Sequence, residues 1–154
     1  MPKLKIAGTA IAVAIFSASL TLCPGQTGAP SQGQEPSNTF TEEVAARLLS
    51  QMAEGLQGHS QKKMLSAFDL ARMDGGATFK EQITAFFNQY ETIRVHFKLI
   101  EVKDDTAVVD AELDGTPHDA ITPPEHKRMQ LTFTAGKGAD GWKFIDVQPR
   151  MFFT

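Results

Sequence analysis

A single cysteine, Cys23, in 154 residues excludes an intramolecular disulfide and a thiolate metal cluster. Charge of one sign is also lacking. The formal net charge is −3, and leaving out Lys3 and Lys5 at the N-terminus takes it to −5. Nucleic-acid binding calls for a basic face, so no nucleic-acid partner is expected. No His-Glu-x-x-His or Gly-x-Ser-x-Gly motif occurs. The Gly cluster GKGADG (136–141) reads as a turn between strands, not as a phosphate loop. No cofactor is implied by any of these features. What is present is enough apolar material, 42% of the residues, to build the core of one domain.

The N-terminus, MPKLKIAGTAIAVAIFSASLTLCPG, has the pattern of a secretory signal. Lys3 and Lys5 supply a positive end, and Ile6 to Leu22 is uncharged and apolar. Residues 1–23 are therefore expected to direct export to the periplasm or the extracellular space. A retained membrane helix is the competing reading, but the run is short for a bilayer of ~30 Å and Pro24 stops it. Lipid attachment at Cys23 is a further alternative, in which an envelope lipoprotein would have a structural role. Leu22 is large where such signals resemble a small residue before the cysteine. Residues 24–38, PGQTGAPSQGQEPSN, have no large apolar side chain and read as a flexible linker.

Residues 39–154 carry the periodicity of a folded domain. In TFTEEVAARLLSQMAEGLQG, Val44, Leu48, Met52 and Leu56 form one helical stripe, with Thr39 and Glu42 as a capping box and Gly55 and Gly58 at its end. HSQKKMLSAFDLARMDGG predicts a second helix capped by Ser60, with Met64, Leu65 and Phe68 apolar. ATFKEQITAFFNQY predicts a third, with Thr78 and Glu81 as its capping box and Phe79, Ile83, Phe86 and Tyr90 on one face. The period then changes to two. IRVHFKLIEV, TAVVDAELD, KRMQLTFTA and WKFIDVQPRMFF predict four antiparallel strands, the first two joined at the polar turn 103–105. The expected class is α+β, three helices covering one face of a four-stranded sheet. Arg94, His96 and Lys98 on the first strand and Asp110 and Glu112 on the second mark the opposite face as solvated. That face could be self-complementary, and a weak homodimer through it is expected.

The helices before a strongly bent sheet, and above all the ending GWKFIDVQPRMFF, resemble the nuclear transport factor 2-like cone fold. FKEQITAFFNQY before the first long strand fits as well, and the resemblance covers residues 39–154. It implies that the last strand lies near the middle of the sheet, with its aromatics packed on the first helix. It also implies a family in which ketosteroid isomerase-like enzymes, polyketide cyclases, small-molecule binders and domains without a reaction share one shape, so fold does not decide function. On this resemblance the candidate lining of a cavity for a small apolar ligand is Tyr90, Phe97, Met129, Trp142 and Gln148.

Enzymes of this fold use a carboxylate or histidine inside the cone as a base, its pKa shifted by burial. The first three strands look apolar inside. On the last, either Trp142, Phe144, Asp146 and Gln148 point inward, or Lys143, Ile145, Val147 and Pro149 do. In the first case Asp146 is the candidate base, with Tyr90 as a hydrogen-bonding partner. In the second it belongs to an ion pair at a rim or outer face. His118, Asp119, Glu125 and His126 in GTPHDAITPPEHK are metal-ligand types, but their spacing matches no metal motif and no metal is expected. The sequence thus supports an exported ligand-binding or interaction module, with a small isomerase- or cyclase-type enzyme as the alternative. The inside of the cone separates them. Mass spectrometry of the envelope or secreted protein should find a mature N-terminus between about residues 19 and 28; intact protein beginning at Met1 in the cytoplasm would contradict export.

Overall fold

The structure is a computed structural model, and it describes residues 38–154. The expected signal over 1–23, Cys23 and all of the linker but Asn38 lie outside the described residues. Three helices, α1 (Glu42–Gln57), α2 (Gln61–Leu65) and α3 (Gly76–Gln89), precede four strands, β1 (Tyr90–Lys103), β2 (Thr106–Pro117), β3 (Glu125–Gly138) and β4 (Gly141–Gln148). A 3-10 helix, Arg150–Phe153, follows. The sheet is an antiparallel meander in the order β1-β2-β3-β4, so β1 and β4 are its edges. The α+β class and the helix-covered sheet agree with the sequence reading.

Local signals differ from that reading in instructive ways. α1 is capped by Thr41, whose hydroxyl accepts from the Val44 N–H, and not by Thr39. Phe40 between them is buried against Trp142 and Phe144, and this anchors the chain two residues later than the capping box implied. Gly55 lies inside the helix rather than ending it. A Cβ there would stand 2.3 Å from the Met64 backbone nitrogen, so its lack of a side chain lets α2 cross α1 closely. Ser60 caps α2 as expected. That helix is far shorter than predicted because the chain leaves it to pair with the sheet. The Phe144 N–H donates to the Ala67 carbonyl at 2.9 Å, and the Asp69 N–H to the Phe144 carbonyl at 2.8 Å. α3 starts at Gly76 behind Gly75, not at Thr78.

The last strand also departs from expectation. β4 is an edge, not the middle. It stops at Gln148, because Pro149 has no N–H for the ladder. Phe152 and Phe153 then turn back onto α3, where Phe153 meets Phe79 and Phe86 at 6.0 Å each, rather than onto α1. A bulge resolves the question of strand parity. Thr134 pairs with Asp146 and Ala135 with Phe144, so Ile145 is the extra residue. Phe144 before the bulge and Val147 after it are both buried. Each of the two predicted patterns therefore holds for half of the strand.

The core is aromatic. Phe79, Phe86, Phe133, Phe144, Phe152 and Phe153 are each at most 1% exposed, and no polar or charged residue is buried among the described residues except Tyr90. β2 contributes Ala107, Val109, Ala111 and Leu113, mostly small residues that leave room for rings from its neighbours. Replacing Gly55 by alanine tests the packing against helix propensity. Propensity alone favours alanine by ~1 kcal/mol. The contact with Met64 should outweigh that and leave Gly55→Ala less stable by about 1–3 kcal/mol in urea unfolding.

Candidate functional site

An open groove lies between α1 and the edge strand β1, with a volume of about 350 Å³. Leu49, Val95, Phe97 and Leu99 form its apolar floor. Ala46, Ser50 and Ala53, one helical stripe of small residues, keep its helical wall low. Gln57 is a polar group at its margin, and its side-chain amide donates to the Val95 carbonyl at 3.4 Å.

The far side of the sheet is wholly polar at its centre, and its charges run in columns. Register places Arg94 beside Asp114 and His126, His96 beside Glu112 and Arg128, and Lys98 beside Asp110 and Gln130. The acidic column on β2 is engaged by β3. His126 Nδ1 lies 2.6 Å from Asp114, Arg128 Nη1 3.2 Å from Glu112, and the Gln130 amide donates to Asp110 at 3.3 Å. Among the described residues, no ion pair joins Arg94, His96 or Lys98 to that column.

A second polar group surrounds Tyr90 at the start of β1. Its hydroxyl donates to the Glu125 carboxylate and accepts from the Gln89 amide at 3.2 Å. Lys127 Nζ lies 3.3 Å from Glu125 and also donates to the Thr154 carbonyl. A Cβ on Gly115 would stand 2.4 Å from the Tyr90 ring, so glycine lets the ring approach β2 closely. Burial, then the bond to Glu125 and its charge, push the Tyr90 phenol well above its ordinary value. The Tyr90 bond lowers the Glu125 pKa; burial opposes this, and Lys127 adds to the lowering. A carboxylate held ionised in this way is the reverse of a base poised near neutrality. The partner of Tyr90 is thus Glu125, not Asp146.

Solved structures share this architecture. The chain is similar to a candidate dehydratase of the NTF2-like (nuclear transport factor 2-like) family from Streptomyces avermitilis, with a TM-score of 0.54, 14% identity, and coverage of 68% of this chain and 91% of that one. It is similar to a candidate aromatic ring hydroxylase from Novosphingobium aromaticivorans, with a TM-score of 0.52, 18% identity, and coverage of 68% and 84%. The fold is nuclear transport factor 2-like. Bd1075 of Bdellovibrio bacteriovorus matches at a TM-score of 0.51 and 15% identity over 69% of this chain, which spans only 38% of Bd1075. No family model and no curated protein matches the sequence.

Within this nuclear transport factor 2-like frame the five proposed ligand residues do not line one cavity. Phe97 is in the groove. Tyr90 is closed into its own cluster, and Met129 packs partly buried opposite Ala111. Trp142 stacks on Phe40 with ring centres 5.4 Å apart, at the start of β4. Gln148 is exposed and donates to Asp146. The bulge at Ile145 separates Trp142 from Gln148 by turning the strand between them. The candidate metal ligands are likewise dispersed. Asp119 accepts from the N–H groups of Ile121 and Thr122, His126 pairs with Asp114, Glu125 with Tyr90, and the His118 ring lies near that of His59. Among the described residues, no three such side chains converge.

Asp146 lies across the strand from buried Val147 and is bound by Arg150, with Nη2 to Oδ1 at 2.7 Å. Arg150 also donates to the Asp74 carbonyl at 2.8 Å, tying β4 to the start of α3. Burial works to raise the Asp146 pKa, but hydrogen bonds from Arg150 and Gln148 outweigh it and leave it lowered. The candidate base is therefore an ion-pair partner in this geometry. A folded-state pKa below the unfolded one gives stability that is present above the unfolded value and lost as pH falls through the folded one. Asp146→Asn should lower the melting temperature at neutral pH by on the order of a few degrees. The difference should close below about pH 4, near the ordinary aspartate value. An Asn variant as stable as the parent at neutral pH would restore Asp146 as a strained, base-like carboxylate.

Proposed function

We propose that this domain is an exported binding module that engages its partner in the α1–β1 groove. One observation carries the reading. The interior of the cone is filled by phenylalanine rings, whereas the groove leaves Phe97 and Leu99 only partly covered. An isomerase or cyclase needs room inside and a convergent acid and base, and binding sites are concave and mostly apolar with a few polar groups. The groove has that composition, with Ser50 and Gln57 as its polar groups. Support for export is the positive end and apolar run of residues 1–23.

A small apolar probe decides between groove and interior. With toluene titrated into the isotopically labelled protein, NMR shifts should concentrate at Leu49, Ala53, Val95, Phe97 and Leu99. Phe144 and Phe152 should stay unshifted. Shifts centred on those two rings, or none in the groove, would overturn this reading.

A further inference from the structure

The two edges of the sheet are treated differently. β4 is covered, because Ala67 and Asp69 pair with Phe144 on its outer side. Among the described residues, β1 has no such cover. The direction of its backbone groups follows from one bond. The Ala135 N–H donates to the Asp105 carbonyl at 2.7 Å, which fixes the alternation between β2 and β3. In the regular register that follows, the backbone groups of Ala107, Val109, Ala111 and Leu113 serve β3, and those of Asp110, Glu112 and Asp114 serve β1. Their partners on β1 are Lys98, His96 and Arg94. The backbone groups of Val95, Phe97 and Leu99 must then point away from the sheet. The Val95 carbonyl agrees with this, since it is reached from outside by Gln57. Among the described residues, no backbone group pairs with Phe97 or Leu99 on that side.

An uncovered edge is a template for another strand. Side chains on the two faces of β1 say which strand it would take. On the helix side, Val95, Phe97 and Leu99 form the groove floor under the small residues of α1. On the other side, Arg94, His96 and Lys98 form a basic column, and among the described residues no ion pair joins it to β2. A strand laid beside β1 would set alternate side chains next to these two rows, at the spacing where cross-strand pairs interact.

From this geometry we infer that β1 accepts an extended segment of another protein in which acidic and apolar residues alternate. Its acidic side chains lie beside Arg94, His96 and Lys98, its apolar ones enter the α1–β1 groove, and its backbone completes the free edge from Val95 to Leu99. Gln57, an exposed amide on the Val95 carbonyl, holds the place of one such backbone donor and is displaced on binding. The charges that select this partner also disfavour a second β1 edge in its place. Two β1 edges placed together would set basic column beside basic column, and like charges in cross-strand positions are destabilising. The inference rests on the binding-module reading and names its partner.

The experiment uses a short fluorescent peptide alternating Glu with Val, followed by anisotropy and by NMR shifts on the full protein. Saturable binding is expected, with shifts in Val95–Leu99 and along α1. The twin peptide with Lys in place of Glu should bind about tenfold more weakly at low salt, as several exposed charge pairs together allow. The double variant Arg94→Glu, Lys98→Glu, altered only at exposed positions, should reverse that preference. N-methylation of the peptide amides that face β1 should abolish binding, a loss that side-chain attraction alone would not produce. Equal binding of the N-methylated peptide, indifference to the charge swap, or shifts centred on β2 and β3 would overturn the inference. So would self-association of the protein through β1. If toluene moves the groove resonances and no peptide binds, the strand-addition inference is wrong and the binding-module reading stands. If neither ligand moves them, both are wrong.

Discussion

The stack of Phe133 on Phe144, ring centres 4.5 Å apart, is the contact on which the remaining packing depends. Phe68 closes on both rings, at 6.4 and 5.8 Å. From Phe68 the ring contacts run on to Phe79, Phe153, Phe86 and Tyr90, and from Phe144 back through Phe40 to Trp142. Three of the boundaries that differ from their local signal touch this network. Phe40 delays the start of α1, Phe68 ends the second helix early, and Phe153 bends the chain after β4 onto α3. Burial of a phenylalanine is worth about 1.5–3 kcal/mol, more than the ~1 kcal/mol typical of a helix cap. Where the two conflicted, the rings prevailed.

The same network shapes the distribution of polar chemistry. Rings occupy the volume that a cone-shaped domain would otherwise offer to a ligand, so acids and bases are displaced to the periphery. There they find partners: Asp146 finds Arg150, Glu125 finds Tyr90 and Lys127, and Asp119 finds the backbone of its own loop. In each case the carboxyl is held below its ordinary value. Carboxylates stabilised as anions lock the register of the elements they join. They are poor proton acceptors at neutral pH.

Much of this was legible in the sequence. The switch of period after Tyr90, the tight turn at Asp104 and Asp105, Ser60 as a cap, and the polar alternation of Arg94, His96 and Lys98 against Asp110 and Glu112 all describe the structure. The candidate site was less legible, for identifiable reasons. A bulge leaves no mark in a two-residue period, so Asp146 and Trp142 read as neighbours on one face. The pairing of Tyr90 with Glu125 spans 35 positions and depends on a register that only the folded meander sets. The groove was missed because its wall is made of Ala46, Ser50 and Ala53. Small residues on the flank of an amphipathic helix read as surface, and only the neighbouring strand makes a hollow of them.

The unequal edges of the sheet have a consequence for assembly. Open-ended stacking needs two complementary margins on each unit, so that every addition regenerates a site for the next. Here one margin is paired within the chain at Phe144, by Ala67 and Asp69. A β1 margin therefore meets, on a second copy, a β4 margin already paired at Phe144, and head-to-tail stacking of the sheets is obstructed there. In this way the domain can present β1 to a strand while β4 offers a second copy no open backbone at Phe144.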